Sequence, residues 1–384
     1  MRFAAYNVEN LFDRAKAFNG DDPDAYSDIL DAHAKLNILF SRDSYSAADK
    51  VRMLELIEEL GMLHRDEGTS HTFTRIRKIR GQLIKRPRDA AKPREIVANG
   101  RDDWVGWCEL KSETVDEIAM VLTARVIWDV DADVLAVVEA ESRPVLKEFQ
   151  TVMADRLARP APYAHVMIID GNDGRGIDVG LTTKSGFPIG TMRSHVDDLK
   201  PDGFPIFSRD CPEFEVTTPG GETVIVLPNH FKSKYGGNNP ASQAKRLAQS
   251  TAVADYYRRL IAEGFDKVVV MGDLNDTPDS DELRPLLIDT DLRDVSGHAN
   301  FTEFEFAVNN GHRGIGTHGL GNDSSKIDYL LLSPALFDNV TSAGIFRKGA
   351  WPGSSPKRWN VYPELTRKHH AASDHHLIWA DIDI

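Results

Sequence analysis

The chain has 384 residues, 41% of them hydrophobic, and its 46 Lys and Arg residues against 59 Asp and Glu residues give a net charge of −13. This length permits one large domain or two to three smaller ones, and no run of roughly 18 or more apolar residues predicts a transmembrane helix. The two cysteines, Cys108 and Cys211, are too few for a disulfide framework or a structural zinc site. The first residues lack the apolar core and cleavage site of a signal peptide, and we therefore expect a cytoplasmic protein.

The first predicted element is a strand, and a block of different character follows it. Residues 30–40 and 48–63 have the apolar spacing of helices, whereas residues 102–111 are typical of a strand. We interpret residues 14–111 as a mostly helical insertion after the first strand.

The one basic stretch of this acidic chain lies inside that block. Residues 75–94 contain nine Lys or Arg and a single Asp, and Gly81, Pro87 and Pro93 disfavour one continuous helix there. Such a stretch suits the backbone of a nucleic acid or an anionic lipid surface. A solvated helix or a flexible loop is the alternative interpretation.

After the block, short strands alternate with a few long helices. Helical spacing covers residues 113–130 and 242–264, and Gly-rich turns at residues 171–176 and 219–222 predict two hairpins. Buried strands are predicted at residues 133–142, 267–275, 326–333 and 375–384. The pattern predicts an α/β fold in which two mixed β-sheets pack face to face with helices outside, as a single domain over residues 1–384.

Polar residues recur where these strands begin or end. They are Asn7, Glu139, Glu141, Asn229, His230, Asp273, Asn275, Asp328, Asp374 and His375. In antiparallel neighbours the end of one strand lies beside the start of the next, so all these positions can lie on one rim. Singly, Asn7 is explained as a turn former, Glu139 as a solvated strand end and His230 as a core histidine. Their joint occurrence indicates a functional site.

This set of side chains favours a divalent cation with oxygen ligands. Mg²⁺ prefers carboxylate and carbonyl oxygens together with water. The sequence contains neither paired cysteines nor the His-x-x-x-His pattern that is typical of zinc. Histidines beside carboxylates suit proton transfer near neutral pH. Together these features predict metal-assisted hydrolysis of a phosphate ester.

Six segments resemble the motifs of the exonuclease–endonuclease–phosphatase superfamily, which has the DNase I-like fold. They read NVENLF, VLAVVEAES, PNHFKSK, MGDLND, KIDYLL and SDHH, in the order of that superfamily, and they cover residues 1–13 and 112–384. The resemblance implies a four-layered α/β sandwich and a phosphodiesterase that depends on Mg²⁺ or Mn²⁺. The block of residues 14–111 has no counterpart in it.

The resemblance also implies ligands for the metal. Asn7 and Glu139 would bind the ion, and Asp374 would be a further ligand or would orient water. Glu139 stands where the family has Gln-Glu-Val, and Val138 here replaces the Gln.

The catalytic residues implied by the resemblance are His230, Asp273, Asn275, Asp328 and His375. His230 would support the leaving phosphate oxygen. Asp273 and Asn275 would orient water and phosphate. Asp328 would pair with His375 and fix its charged or tautomeric state.

Two further residues are candidates for phosphate binding. Arg209 resembles the arginine on a strand of the family, and its planar guanidinium matches phosphate oxygens. A surface ion pair is the alternative for Arg209. Asn229, beside the first catalytic histidine, is the second candidate.

Two substrate classes remain open. The basic residues 75–94 favour DNA or RNA, and an endonuclease or exonuclease is the leading prediction. The acidic net charge favours a small or lipid phosphate, of the nucleotide, phosphoinositide or sphingomyelin type. A catalytically inactive binding protein on the same fold is a third hypothesis, which the full set of polar residues opposes.

Overall fold

The structure, a computed structural model, describes most of the chain. The described residues are 1–11, 14–15, 27–69, 72–89, 92–113, 118–173, 176–234, 239–302, 304–305, 313–355 and 357–384. The chain forms two compact units, Met1–Phe12 with Asp116–Ile384 and, separately, Asp13–Val115. Among the described residues, no helix has the length and apolar character needed to cross a membrane.

Helices and strands alternate along the described part of the chain. The helices are α1 Ser27–Phe40, α2 Ala47–Glu59, α3 Ile118–Val130, α4 Arg143–Leu157, α5 Pro240–Ala262, α6 Arg284–Leu287 and α7 Pro334–Phe337. The strands are β1 Arg2–Leu11, β2 Arg14–Ala15, β3 Thr74–Gly81, β4 Ile84–Lys85, β5 Glu95–Ile96, β6 Trp104–Leu110, β7 Ser112–Glu113, β8 Val134–Ala140, β9 His165–Ile169, β10 Asp178–Thr183, β11 Ile189–Arg193, β12 Glu213–Thr217, β13 Thr223–His230, β14 Val268–Asp273, β15 Arg293–Asp294, β16 Phe301–Thr302, β17 Phe304–Glu305, β18 Arg313–Gly314, β19 Asp328–Leu332, β20 Val340–Phe346 and β21 Leu377–Ile382.

The first unit contains two large mixed sheets. One has seven strands in the order β16-β20-β21-β1-β8-β10-β9, and the other has six in the order β11-β12-β13-β14-β19-β15. The pairs β1–β8, β13–β14 and β16–β20 are parallel, and the other pairs in these sheets are antiparallel. A parallel pair needs a long crossover, and α5 lies in the crossover from β13 to β14.

The two sheets pack face to face around one apolar layer. Ala5 of β1 belongs to this layer together with Met271 of β14 and Leu330 of β19. On the outer faces, α3 and α4 pack against the seven-stranded sheet, and α5 packs against the six-stranded sheet. The four-layered α/β sandwich with helices outside is therefore confirmed.

Strand β14 shows how the sequence produces these layers. Val269 and Met271 face the other sheet, whereas Val268 and Val270 face α5. Because successive side chains point to opposite faces, a strand covered on both sides is a continuous apolar run. By the same alternation, Asp273 at the end of β14 lies on the face between the sheets.

The two predicted hairpins are confirmed as β9–β10 and β12–β13. Two residues of the first turn, Gly174 and Arg175, lie outside the described residues. Helix α4 was not predicted, although Ser142 caps it by accepting a hydrogen bond from the backbone N–H of Val145 at 3.4 Å.

The second unit has a core of its own. Leu56 of α2 is buried with Ile76 of β3 and Trp104 of β6, and β3 and β6 form an antiparallel hairpin. The predicted helices at residues 30–40 and 48–63 are confirmed as α1 and α2, but α2 ends at Glu59, four residues before the predicted end.

The described residues of this unit mix helix and strand, and they are not mostly helical as predicted. The beginning of the basic stretch is the paired strand β3, so a solvated helix and a flexible loop are both wrong for Thr74–Gly81. Residues 16–26, 70–71 and 90–91 of the predicted block lie outside the described residues. That the block is an insertion into one domain stays a prediction.

Candidate active site

Asn7 lies at the centre of a polar cluster on the rim of the two sheets. Its side chain is buried on the face between the sheets, and Nδ2 lies 3.2 Å from Glu139 Oε1 and 3.2 Å from Asp273 Oδ2. Its Oδ1 accepts a hydrogen bond from the backbone N–H of Glu9 at 3.0 Å. Ser373 Oγ donates to the Asn7 carbonyl at 2.8 Å, which ties the SDHH segment to β1.

Glu139 reaches this cluster because β8 is irregular at that point. Regular alternation would place Glu139 beside Val137 on the outer face of the sheet. The pairing with β10 shifts by one residue here, and Glu139 has a φ of 67°. This bulge turns the carboxylate towards the rim, where Oε1 lies 3.6 Å from His230 Nε2.

Two carboxylates face each other across the antiparallel pair of β14 and β19. Asp273 is the direct partner of Asp328, and both side chains are buried. Burial and the charge of Asp328 raise the pKa of Asp273 to about 7. Like charges opposite one another are destabilising, so this pair favours a bound cation or proton.

His375 is a cationic group that lies beside both of these carboxylates. Its Nδ1 lies 2.9 Å from Asp328 Oδ2, and its Nε2 lies 3.8 Å from Asp273 Oδ2. Burial alone would lower the pKa of His375, but Asp328, Asp273 and Asp374 outweigh it and raise the pKa to about 10. The ring is therefore an imidazolium at neutral pH and a hydrogen-bond donor on both nitrogens.

Asp374 lies at the outer edge of the cluster. Its backbone N–H donates to Glu9 Oε2 at 2.9 Å, and its Oδ2 lies 3.2 Å from His318 Nε2. Burial raises the pKa of Asp374, but the hydrogen bond to His318 and the charge of His375 outweigh it, so the pKa is lowered overall. Asp374 is thus an ionised carboxylate that opens towards solvent.

Arg209 lies directly against His230. Its Nη2 is 2.8 Å from His230 Nε2, and its Nε is 3.2 Å from His230 Nδ1. Its Nε is also 3.6 Å from Asp173 Oδ2. The side chain is only 3% exposed, so the alternative of a surface ion pair is wrong. A buried guanidinium beside a histidine is suited to binding phosphate oxygens.

The other two predicted asparagines, Asn275 and Asn229, lie on different sides of the sheet that contains β13 and β14. Asn275 follows β14 with a φ of 55°, and its backbone N–H donates to Asp273 Oδ1 at 2.8 Å, which orients that carboxylate. Asn229 is fully buried, and its Nδ2 donates to the Leu227 carbonyl at 3.0 Å. By strand alternation it lies on the α5 side of β13, opposite to His230, so the structure does not bring Asn229 to the cluster.

The donors at the rim fit a hard divalent cation. Among the described residues, two groups of side chains hold their ligand atoms within 4.8 Å of one another: Asp273, Asp328 and His375, and His318, Asp374 and His375. Glu139 and the Asn7 amide add oxygen donors, which Mg²⁺ and Mn²⁺ prefer. Because His375 is held in its charged form by Asp328, the carboxylates and the amide are the better ligands.

Three residues near the cluster were not predicted. Glu9 and His318 contact Asp374, and Asp276 forms a buried ion pair with Arg246 at 2.8 Å beneath the GDLND turn. Asp276 is the last residue of the GDLND motif, so the sequence provided a reason to consider it as a site residue. His318 comes from a loop without periodic pattern, and the sequence offers no signal for it.

A comparison with protein families finds one match. The sequence profile of the Endonuclease/Exonuclease/phosphatase family matches residues 88–349. That range, more than half of the chain, contains the segment from Glu139 to Asp328. Asn7, Asp374 and His375 lie outside it and join the cluster through the fold. No curated protein matches the sequence.

Solved structures with a similar fold have low sequence identity. Truncated TDP2 of Caenorhabditis elegans is 19% identical, with a TM-score of 0.43, over 68% of this chain and 88% of that one. A mannosyl-6-phosphatase of Bacteroides thetaiotaomicron is 14% identical, with a TM-score of 0.48, over 69% and 91%. The human Nocturnin catalytic domain is 15% identical, with a TM-score of 0.47, over 69% and 86%.

Proposed function

The chain belongs to the endonuclease/exonuclease/phosphatase family, a family of phosphoesterases, and from this premise we propose that it is a metal-dependent phosphodiesterase that cleaves DNA or RNA. One observation carries the proposal. Buried Asp273 lies opposite Asp328 in register, beside Asn7 and between two histidines, so acid, base and cation-binding groups converge on one point.

In this proposal, Asn7 and Glu139 would hold Mg²⁺ or Mn²⁺, and Asp374 would be a further ligand or would orient water. The ion would neutralise phosphate oxygens and so lower the barrier to attack by water. Glu139 Oε1 lies 3.2 Å from Asn7 Nδ2, so these two side chains are neighbours at the point where the ion would be held.

Asp273 and Asn275 orient the attacking water. Asp273 accepts the proton that the water loses as its oxygen bonds to phosphorus, and the backbone N–H of Asn275 fixes the carboxylate at 2.8 Å. On the other side, His230 and Arg209 support the oxygen that leaves as the old P–O bond breaks. His375, charged through Asp328, donates from Nε2 to a phosphate oxygen.

Nucleic acid is preferred as substrate because of the basic strand β3. Its exposed end carries Lys78 and Arg80, in a chain that is otherwise acidic. A small or lipid phosphate is the second candidate, and the net charge of −13 favours it.

Plasmid nicking in Mg²⁺ and in Mn²⁺, with bis(p-nitrophenyl) phosphate in parallel, tests the proposal. We expect supercoiled plasmid to be nicked, and EDTA and His375→Ala to abolish nicking, because both remove charge from the phosphate site. An intact plasmid with a cleaved small diester would support the second candidate. Turnover of neither would contradict the phosphodiesterase proposal.

A further inference from the structure

A cavity of about 800 Å³ adjoins the catalytic cluster. Glu9, His318 and Asp374 form the wall that the cavity shares with the cluster. Asp374 Oδ1 lies 3.8 Å from His375 Nε2, and the rings of His318 and His375 are 4.9 Å apart. A phosphate bound at His375 would therefore direct one of its ester groups into this cavity.

The rest of the lining combines flat apolar surface with positive charge. Trp351 and Leu320 supply apolar surface, and Lys368 and His369 supply cationic or protonatable groups. Within the part of the chain that the structure describes, Lys368 has no carboxylate within 4 Å and is itself exposed. An unpaired ammonium in a cavity of an acidic protein is suited to an anion.

We propose that this cavity binds a nucleoside group of the substrate, with its base against Trp351 and a second phosphate at Lys368 and His369. The inference rests on the proposed function, since it places the scissile phosphate at the catalytic cluster. Stacking on an aromatic ring accepts any base, and an ammonium contacts phosphate without regard to sequence. The cavity therefore selects for a nucleotide unit and does not select for one base.

An inositol phosphate head group is the competing ligand. It supplies phosphates for Lys368 but has no ring with a π-face for Trp351. Trp351 should therefore favour a nucleotide over an inositol phosphate, whereas Lys368 alone would bind either ligand.

Binding without turnover tests the proposal. Isothermal titration calorimetry on Asp273→Asn protein would use adenosine 3′,5′-bisphosphate, adenosine 5′-monophosphate, ribose 5-phosphate and myo-inositol 1,4-bisphosphate as probes. We expect the bisphosphate to bind at least about tenfold more tightly than ribose 5-phosphate, which corresponds to about 1.4 kcal/mol. Adenosine 5′-monophosphate should lie between them.

Two further substitutions, each made in the Asp273→Asn protein, test which residue contacts the base and which contacts the second phosphate. Trp351→Leu keeps an apolar side chain in place and should remove the difference between the nucleotide and ribose 5-phosphate. Lys368→Gln should remove the difference between the bisphosphate and the monophosphate. Phe204→Leu and Lys147→Gln change exposed residues outside the cavity lining and serve as matched controls.

Equal binding of the nucleotide and ribose 5-phosphate would overturn the proposal, as would tighter binding of the inositol bisphosphate. An unchanged preference in Trp351→Leu would overturn it as well. Hydrolysis of bis(p-nitrophenyl) phosphate by the wild-type protein, measured separately, shows whether the proposed function itself fails. The binding experiment does not depend on that result.

Discussion

At the scale of single residues, Asp328 controls the charge of His375. Burial lowers the pKa of this histidine, and the carboxylate of Asp328, 2.9 Å from Nδ1, does most to reverse that effect. The ring then offers an N–H at Nε2 on the side of Asp273, where the proposed mechanism places a phosphate oxygen. Without this partner, burial would favour the neutral ring more strongly, against the charges of Asp273 and Asp374.

Asp328→Asn should therefore lower kcat by about 10² or more, a typical loss for a displaced proton donor. The fold should persist, because the substitution also removes a negative charge opposite Asp273. Steady-state kinetics with bis(p-nitrophenyl) phosphate and thermal unfolding measure the two effects. Asp338→Asn, at an exposed carboxylate, is the control. A kcat within tenfold of the wild-type value would contradict this role.

At the scale of elements, the sequence predicts where strands end better than how they pair. The apolar runs that stop at Asn7, His230 and Asp273 are visible in the sequence, because strands covered on both faces have no polar positions. The bulge at Glu139 is not visible, since it depends on the register of β8 against β10. Helix α4 was missed even though its capping residue, Ser142, and the following proline give a local signal.

The basic strand leads to a prediction of its own. Lys78→Glu with Arg80→Glu should reduce plasmid nicking severalfold and should make nicking depend less steeply on salt concentration. With fewer contacts to phosphate, binding of the protein releases fewer counterions from the DNA. Hydrolysis of bis(p-nitrophenyl) phosphate should stay unchanged. The double substitution Lys35→Glu with Lys50→Glu, on α1 and α2, is the matched control. Equal effects on both substrates would reject a role in nucleic-acid binding.

A buried histidine, His195, connects the loop after β11 to strand β12. His195 Nε2 lies 2.6 Å from Glu213 Oε1, and its Nδ1 lies 2.9 Å from Asp198 Oδ2, with Tyr256 stacked on the ring. Arg259 also contacts Glu213. Burial lowers the pKa of His195, but the hydrogen bonds to Glu213 and Asp198 outweigh it, so the pKa is raised.

This histidine makes stability depend on pH. Because the pKa of His195 is raised in the folded state, the protonated ring stabilises the fold. This contribution to the free energy of unfolding is complete below the unfolded-state pKa of about 6.5, and it is lost as the pH rises through the pKa of the folded state. Urea unfolding should show a free energy that falls with pH above about 6.5. His195→Gln should flatten that fall, and His64→Gln, at an exposed histidine, should not. Identical slopes in all three proteins would contradict the assignment.

At the scale of the whole molecule, the chain is acidic, and so is the rim that carries the proposed active site. Most predicted site residues meet there, because the two sheets bring the ends of β1, β8, β13 and β14 to the same edge as the start of β19. Asn229 was predicted and lies elsewhere, since neighbours in a strand face opposite sides. Glu9 belongs to the NVENLF motif but was not singled out, whereas His318 joins the rim from a loop without a pattern, and only the fold reveals it.

One measurement tests the central claim, that Asp273 and its neighbours form a metal-dependent hydrolytic site. It is the rate of bis(p-nitrophenyl) phosphate hydrolysis by the wild-type protein and by Asp273→Asn, with EDTA and after addition of Mg²⁺ or Mn²⁺. We predict a wild-type rate that EDTA abolishes and either ion restores. We also predict a loss of about 10² or more in Asp273→Asn, in a protein that still unfolds in one cooperative transition. Hydrolysis that resists EDTA, or a variant that keeps over a tenth of the rate, would contradict the account.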